Sequence, residues 1–153
     1  MLILLDIDGV MVQAASWKPV EILPDGFSSF NARAVSGLQR IISGTNASII
    51  LTTSHKYKYS LSQWKEIFKR RGVVASIDRL EDNLNFLNRK EEILRWVSKN
   101  SEIEDYVIID DDKSLNGLPF NIKEKLVQTS PMIGLTEENV ISALDILNCE
   151  LVY

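Results

Sequence analysis

Short apolar stretches that end abruptly in a polar residue constrain the fold of this chain more than any other feature. Three of them read LILLD at 2–6, SIILT at 48–52 and YVIID at 106–110. A strand that is buried on both faces has this continuous apolar pattern, and such strands are typical of parallel sheets. Segments of helical period separate the stretches. The alternation predicts an α/β fold with an open, mostly parallel, Rossmann-like sheet and helices on both faces.

Two shorter apolar stretches, 73–77 and 126–128, bring the predicted sheet to about five strands. Helical periods follow residue 35 and the polar residues Ser60, Asn88 and Thr136, which are suitable helix caps. Residues 78–87 are polar and predict a loop. The chain has 153 residues, against about 100–200 for a typical domain, so we expect one domain over residues 1–153.

The composition excludes several kinds of site. One cysteine, Cys149, cannot form an intrachain disulfide or a four-cysteine zinc site, and a single His55 cannot form a histidine-rich metal site. The net charge is −4, and no apolar run approaches the ~18 residues of a membrane span. Acidic residues follow the first five residues at once, without a basic leader. These features predict a cytoplasmic protein that is not bound to a membrane.

Acidic and hydroxyl side chains follow the apolar stretches, at the strand ends where open parallel sheets bind their ligands. Asp6 and Asp8 are two residues apart and point to the same side of an extended chain. Asp110 and Asp111 add further negative charge, which is unfavourable unless a cation is bound. Oxygen ligands favour Mg²⁺. A Mg²⁺ ion beside hydroxyls, amides and a cationic side chain suits a phosphoryl group.

These residues also form a recognisable set of motifs in a fixed order. They are LILLDIDGV at 2–10, SIILTTS at 48–54, NRKEEILRWV at 88–97 and YVIIDDD at 106–112. The chain thereby resembles the haloacid dehalogenase (HAD) superfamily of phosphohydrolases over roughly residues 1–147. The segment GLTEENVISAL at 134–144 is similar to compact HAD domains of bacterial RNA-repair proteins.

The resemblance implies a role for each motif residue. Asp6 would be the nucleophile that forms an aspartyl-phosphate, and Asp8 the general acid and then the general base. Thr52 would bind a phosphoryl oxygen, and Lys90 would offset the negative charge of the nucleophile and phosphate. The implied enzyme is a phosphomonoesterase. The alternative is a HAD-like module that binds phosphate without catalysis.

The resemblance also implies a Mg²⁺ site. Its ligands would be the carboxylates of Asp6, Asp110 and Asp111 and the main-chain carbonyl of Asp8. Several of these roles have competing neighbours in the sequence: Thr53 or Ser54 for Thr52, Arg89 for Lys90, and Asp112 for Asp111.

The substrate class depends on what covers the site. Caps in HAD enzymes are inserted domains, whereas residues 11–30 suffice only for a small flap, with Trp17 and Phe27 as candidate lid residues. We therefore expect an open site whose phosphorylated substrate is a small molecule or a nucleic-acid end. The sequence HKYKY at 55–59 alternates cations with rings, as nucleic-acid grooves do. Further cations could extend this surface or form a solvated helix face: Lys65, Lys69, Arg70 and Arg71.

Overall fold

The computed structural model describes residues 1–14 and 19–147, so Trp17 and Cys149 lie outside the described residues. The strands are β1 (Leu2–Leu5), β2 (Ser48–Leu51), β3 (Ile77–Arg79), β4 (Tyr106–Asp110) and β5 (Leu126–Gln128). The helices are α1 (Ala32–Thr45), α2 (Leu61–Arg70), α3 (Arg89–Lys99), α4 (Phe120–Lys123) and α5 (Glu137–Ile146), with a 3₁₀ helix at Lys113–Gly117.

The five strands form one parallel sheet in the order β3-β2-β1-β4-β5. The chain builds outward from β1 to β3, then crosses to the other side of β1 to place β4. Leu5 at the end of β1 lies opposite both Leu51 and Ile109, so three strands end in register. The predicted α/β fold is confirmed.

Apolar cores lie on both faces of the sheet, because alternate strand residues point in opposite directions. On one face Leu5 and its neighbours pack with α1, α2 and α5. On the other face Leu4, Ile50 and Ile108 pack with Ile93 of α3 and with residues of the 3₁₀ helix and α4. Burial of each such side chain stabilises the fold by about 1.5–3 kcal/mol. This explains why the central strands are apolar throughout.

The third strand differs from its prediction at 73–77. Val73 is buried, and its N–H donates to the carbonyl of Phe68, 2.9 Å away, so it completes the end of α2 instead of entering the sheet. The strand begins at Ile77 and includes Asp78 and Arg79, which were predicted to lie in a loop. A β-branched apolar residue such as Val73 packs equally well at the end of a helix and in a strand. The apolar pattern at 73–77 therefore could not distinguish the two.

Residues 19–30, which precede α1, form a short flap, and the described residues contain no cap domain. An antiparallel bridge joins Ile22 to Ser28 across a tight turn at Gly26, whose φ is 82°. Over residues 1–14 and 19–147, none of the helices has the length and apolar character needed to cross a bilayer.

Candidate active site

The site lies at the carboxyl ends of β1, β2 and β4. The strand order reverses here, because β2 and β3 lie on one side of β1 and β4 and β5 on the other. The Asp6 N–H donates to the carbonyl of Ile109 at 3.0 Å, and the Thr52 N–H donates to the carbonyl of Leu5 at 2.9 Å. The strand register therefore continues one residue further and sets Asp6 between Thr52 and Asp110. Ligands bind at this position in open α/β sheets.

The period of the strands also decides which face the site uses. Asp6, Thr52 and Asp110 each lie two residues beyond a strand residue that packs on the α3 face of the sheet. We expect their side chains to point toward α3, whose first residue is Arg89. Asn88 caps this helix by accepting from the Glu91 N–H at 2.8 Å, which fixes where the helix begins.

Three carboxylates form what we call the acidic cluster: Asp6, Asp110 and Asp111. Each offers an oxygen, and these oxygens all lie within 4.8 Å of one another. Asp6 is 5% exposed and Asp110 is 0% exposed. Burial and the neighbouring charge of Asp110 raise the pKa of Asp6 to about 9 from its ordinary 3.8. Burial, with Asp110, also raises the pKa of Asp111. Without a further cation, this raised pKa favours a protonated Asp6 at neutral pH.

The acidic cluster fits a small hard cation. Its donors are all carboxylate oxygens, the ligand type that Mg²⁺ prefers, and burial together with the charge of Asp110 makes their ionised forms unfavourable without a cation. Gly9 makes room for this arrangement, because a Cβ at that position would lie 2.1 Å from Oδ2 of Asp111. Its φ of 82° also favours glycine.

The hydroxyl of Thr52 reaches the acidic cluster. Its Oγ1 donates to Oδ2 of Asp110 at 3.1 Å. Thr53 is buried too, but its hydroxyl accepts from the N–H of His55 at 3.3 Å and stabilises the turn. Ser54 is exposed. The geometry thus favours Thr52 among the three hydroxyls, while its role toward phosphate stays a prediction.

Arg89, and not Lys90, brings positive charge to the acidic cluster. Its Nη1 forms a short ion pair with Asp110 and lies 3.6 Å from Oδ2 of Asp6 and 3.4 Å from Oγ1 of Thr52. The Nζ of Lys90 instead lies beside the 3₁₀ helix, 3.3 Å from where a Cβ on Gly117 would be. The geometry thus favours Arg89 over Lys90 beside the acidic cluster, because adjacent residues on a helix point about 100° apart, while the role of either cation toward phosphate stays a prediction.

Asp8 lies at the rim, outside the acidic cluster. Its side chain is 63% exposed, and its Oδ2 is 3.3 Å from Nε2 of His55. The strand ends before this residue, so the two carboxylates of the first motif differ sharply in burial. A buried Asp6 and an exposed Asp8 suit two different tasks at one site. The Asp8 carbonyl stays a predicted metal ligand.

Asp112 has a local structural role. Its carboxylate accepts from the N–H of Ser114 at 2.9 Å and caps the 3₁₀ helix. Its own N–H donates to Oδ1 of Asp110 at 3.1 Å. Asp111 rather than Asp112 therefore belongs to the acidic cluster.

Two cations of the predicted nucleic-acid surface are buried and form ion pairs within the protein. Lys56 forms a buried ion pair with Glu92 at 2.8 Å, with side-chain exposures of 4% and 6%. Arg71 pairs with Asp25 at 2.7 Å. The sequence gives no sign of either pair, since charged residues near helices are usually solvated. Tyr57 of this surface is exposed, and the guanidinium of Arg79, which the sequence did not place there, lies over its ring, 4.0 Å from the centroid.

Comparison with models of protein families shows which family the chain belongs to. Residues 2–140 match the model of the HAD domain in Swiss Army Knife RNA repair proteins. The chain belongs to this family. The predicted likeness to the HAD domains of RNA-repair proteins is thereby confirmed, and membership supports a HAD-type phosphohydrolase. Comparison with curated proteins and with solved structures gave no match.

Proposed function

We propose that this HAD domain is a Mg²⁺-dependent phosphomonoesterase that works through an aspartyl-phosphate on Asp6. The observation that carries the proposal is the acidic cluster, three buried or half-buried carboxylates that, among the described residues, form ion pairs only with Arg89. The carboxylates of Asp6, Asp110 and Asp111 would hold Mg²⁺ together with the Asp8 carbonyl. When bound there, the ion would supply positive charge to the phosphoryl oxygens and would keep Asp6 ionised.

The first half of the reaction uses both carboxylates of the first motif. A carboxylate oxygen of Asp6 attacks phosphorus while the bond from phosphorus to the ester oxygen breaks. Asp8 gives its proton to that oxygen, so the alcohol leaves neutral. Thr52 and Arg89 face the same space and orient the phosphoryl group. Asp8 at the solvent-facing rim is placed to meet a leaving group that enters from outside.

The second half returns the enzyme to its starting state. Asp8, now ionised, takes a proton from water as the water oxygen attacks phosphorus. The bond from phosphorus to Asp6 breaks, inorganic phosphate leaves, and Asp8 is protonated again. The net reaction consumes one phosphate monoester and one water and yields an alcohol and phosphate. Its substrates are small phosphate monoesters or phosphorylated nucleic-acid ends.

Hydrolysis of p-nitrophenyl phosphate tests the proposal. We expect activity that needs Mg²⁺, stops with a chelator and falls at least about 10³-fold in Asp6→Asn. The exposed Asp145 on α5 provides the matched control, since Asp145→Asn removes a carboxylate outside the four motifs. Mass spectrometry of acid-quenched wild type should find a phosphoryl group on Asp6.

Asp8→Asn separates the two carboxylates. Because nitrophenolate leaves readily without a proton, an alkyl phosphate should lose more activity than p-nitrophenyl phosphate, by about 10²-fold or more. Folded wild-type protein that is inactive on small phosphates and on 3′- and 5′-phosphorylated oligonucleotides would refute the enzyme. Thermal stabilisation by beryllium fluoride and Mg²⁺ would then identify a phosphate-binding module.

A further inference from the structure

A cleft opens beside Asp8, between the flap and the turn that follows β2. Its volume is about 220 Å³, and the residues that line it include Asp8, Ile22, Phe27, Ser28, His55 and Lys58. Pockets that enclose a whole ligand measure about 300–1,000 Å³. The cleft is therefore suited to one part of a substrate, namely the part next to Asp8.

The flap wall of this cleft is firmly built. Arg71 binds both carboxylate oxygens of Asp25, at 2.7 and 2.9 Å, and donates to the carbonyls of Phe27 at 3.0 Å and Ser28 at 2.8 Å. Its guanidinium also lies 5.5 Å from the ring centroid of Phe27. These four hydrogen bonds from one buried side chain hold the loop in a single position. The width of the cleft is thus set before a ligand enters.

The opposite wall is cationic. The described residues place no carboxylate within 4.0 Å of the ammonium of Lys58, which lies 5.6 Å from the ring centroid of Tyr59. Lys56 nearby, in contrast, is neutralised by Glu92. His55 faces Asp8. Lys58 therefore offers an unpaired positive charge to whatever fills the cleft.

We propose that this cleft receives the leaving alcohol and that Lys58 selects alcohols that carry a second phosphate group close to the scissile ester. The inference rests on the proposed function, since it needs Asp8 to protonate the leaving oxygen. The flap wall of the cleft includes Ile22, which is 61% exposed and can pack against a sugar or a base. The second phosphate belongs either to the adjoining phosphodiester of a polynucleotide or to a small bisphosphate.

Three substrates measure this selectivity in the full chain with Mg²⁺. They are p-nitrophenyl phosphate, a 3′-phosphorylated dinucleotide and a nucleoside 3′,5′-bisphosphate. For wild type we expect kcat/KM to be higher for at least one of the two substrates with a second phosphate than for p-nitrophenyl phosphate. A preference for the dinucleotide identifies a polynucleotide source, and a preference for the bisphosphate identifies a small metabolite.

Lys58→Gln should lower the ratio of kcat/KM for the preferred substrate to that for p-nitrophenyl phosphate by about tenfold, mainly through KM. Salt should erode the wild-type ratio and leave the ratio of the variant nearly constant. Lys58→Arg should keep the ratio. Lys123→Gln is the matched control, because Lys123 is an exposed lysine of α4 that does not line the cleft.

A ratio that is unchanged in Lys58→Gln, or a wild type without preference for either second phosphate, would overturn the inference while leaving the phosphatase intact. A wild type that hydrolyses none of the three substrates would instead refute the proposed function.

Discussion

Helix α3 takes part in two buried charge groups that lie close together and are built on opposite principles. Its first residue, Arg89, pairs with two of the three carboxylates of the acidic cluster, Asp110 and Asp6. Three residues on, Glu92 pairs with Lys56 of the β2 turn in a one-to-one ion pair. Residues three apart share a helix face, so one face of α3 serves both groups.

The two groups differ in how fully their charges are paired, and this distinguishes a group that stabilises the fold from one that is suited to catalysis. The Lys56–Glu92 pair is complete, and the Lys56 carbonyl also accepts from the indole of Trp64 at 2.9 Å and from Arg79 at 3.1 Å. It ties the β2 turn to α3 and needs nothing further. The acidic cluster is incomplete, because burial and the charge of Asp110 raise the pKa values of Asp6 and Asp111 and Arg89 opposes this only in part. Only the incomplete group should respond to Mg²⁺.

The largest expected effect comes from breaking the complete pair. Lys56→Met leaves Glu92 buried without its partner and should lower the free energy of unfolding by about 3–5 kcal/mol. Urea denaturation with and without Mg²⁺ measures the loss, which should be the same in both. The double variant Lys56→Met, Glu92→Leu should recover most of it, because an apolar pair replaces an unmatched charge. Recovery by Mg²⁺ alone would contradict a purely structural role.

Removing the cation of the acidic cluster should have a smaller effect on stability. Arg89→Met deletes charge-assisted contacts to Asp110, which should cost about 2 kcal/mol without Mg²⁺. The three clustered carboxylates can compensate for the lost cation by binding protons or a metal ion. Glu92 belongs to no such carboxylate cluster among the described residues, so it cannot compensate by binding a metal ion. Mg²⁺ should therefore restore part of the stability of Arg89→Met and none of that of Lys56→Met. Equal responses of the two variants would remove the distinction between the groups.

The sequence predicts the acidic cluster well because strand ends converge by topology. Apolar runs identify β1, β2 and β4, and once these strands are parallel and adjacent, Asp6, Thr52 and Asp110 must lie at one edge. No side-chain detail is needed for this step. The prediction of the fold and of this row of residues follows from the same pattern.

The choice between Arg89 and Lys90 could not be made in this way. It depends on the rotation of α3 about its axis, which the packing of Ile93 fixes. Ile93 is fully buried and lies one turn beyond Arg89, so Arg89 shares its face. The Lys56–Glu92 pair was missed for a similar reason, because its two members come from different elements and neither carries a local signature.

The pH dependence of stability without Mg²⁺ should reveal the imbalance directly. From about pH 4 to about pH 9 folded Asp6 keeps a proton that the unfolded chain has lost, since its pKa is raised from 3.8 to about 9. Stability should therefore fall as pH rises through this window, by at most about 1.4 kcal/mol per pH unit. Asp6→Asn should flatten the profile, and urea midpoints across the window measure it. A profile unchanged by the variant would show that Asp6 is not the group responsible.

The contribution of Asp25 to stability should change with pH in the opposite direction, because Asp25 is ionised in the folded state and paired with Arg71. The hydrogen bonds from Arg71 lower the pKa of Asp25 to about 2 from 3.8, against a smaller opposing effect of burial. The pair therefore stabilises the folded state above about pH 4, and this contribution is lost as pH falls through about 2. Because the Asp25 side chain is 17% exposed, we expect only about 1 kcal/mol. The stability difference between wild type and Asp25→Asn should vanish in acid, whereas for the Asp145→Asn control it should stay near zero throughout. A difference that persists below pH 2 would mean that the Asp25 carboxylate holds the flap through its shape and not through its charge.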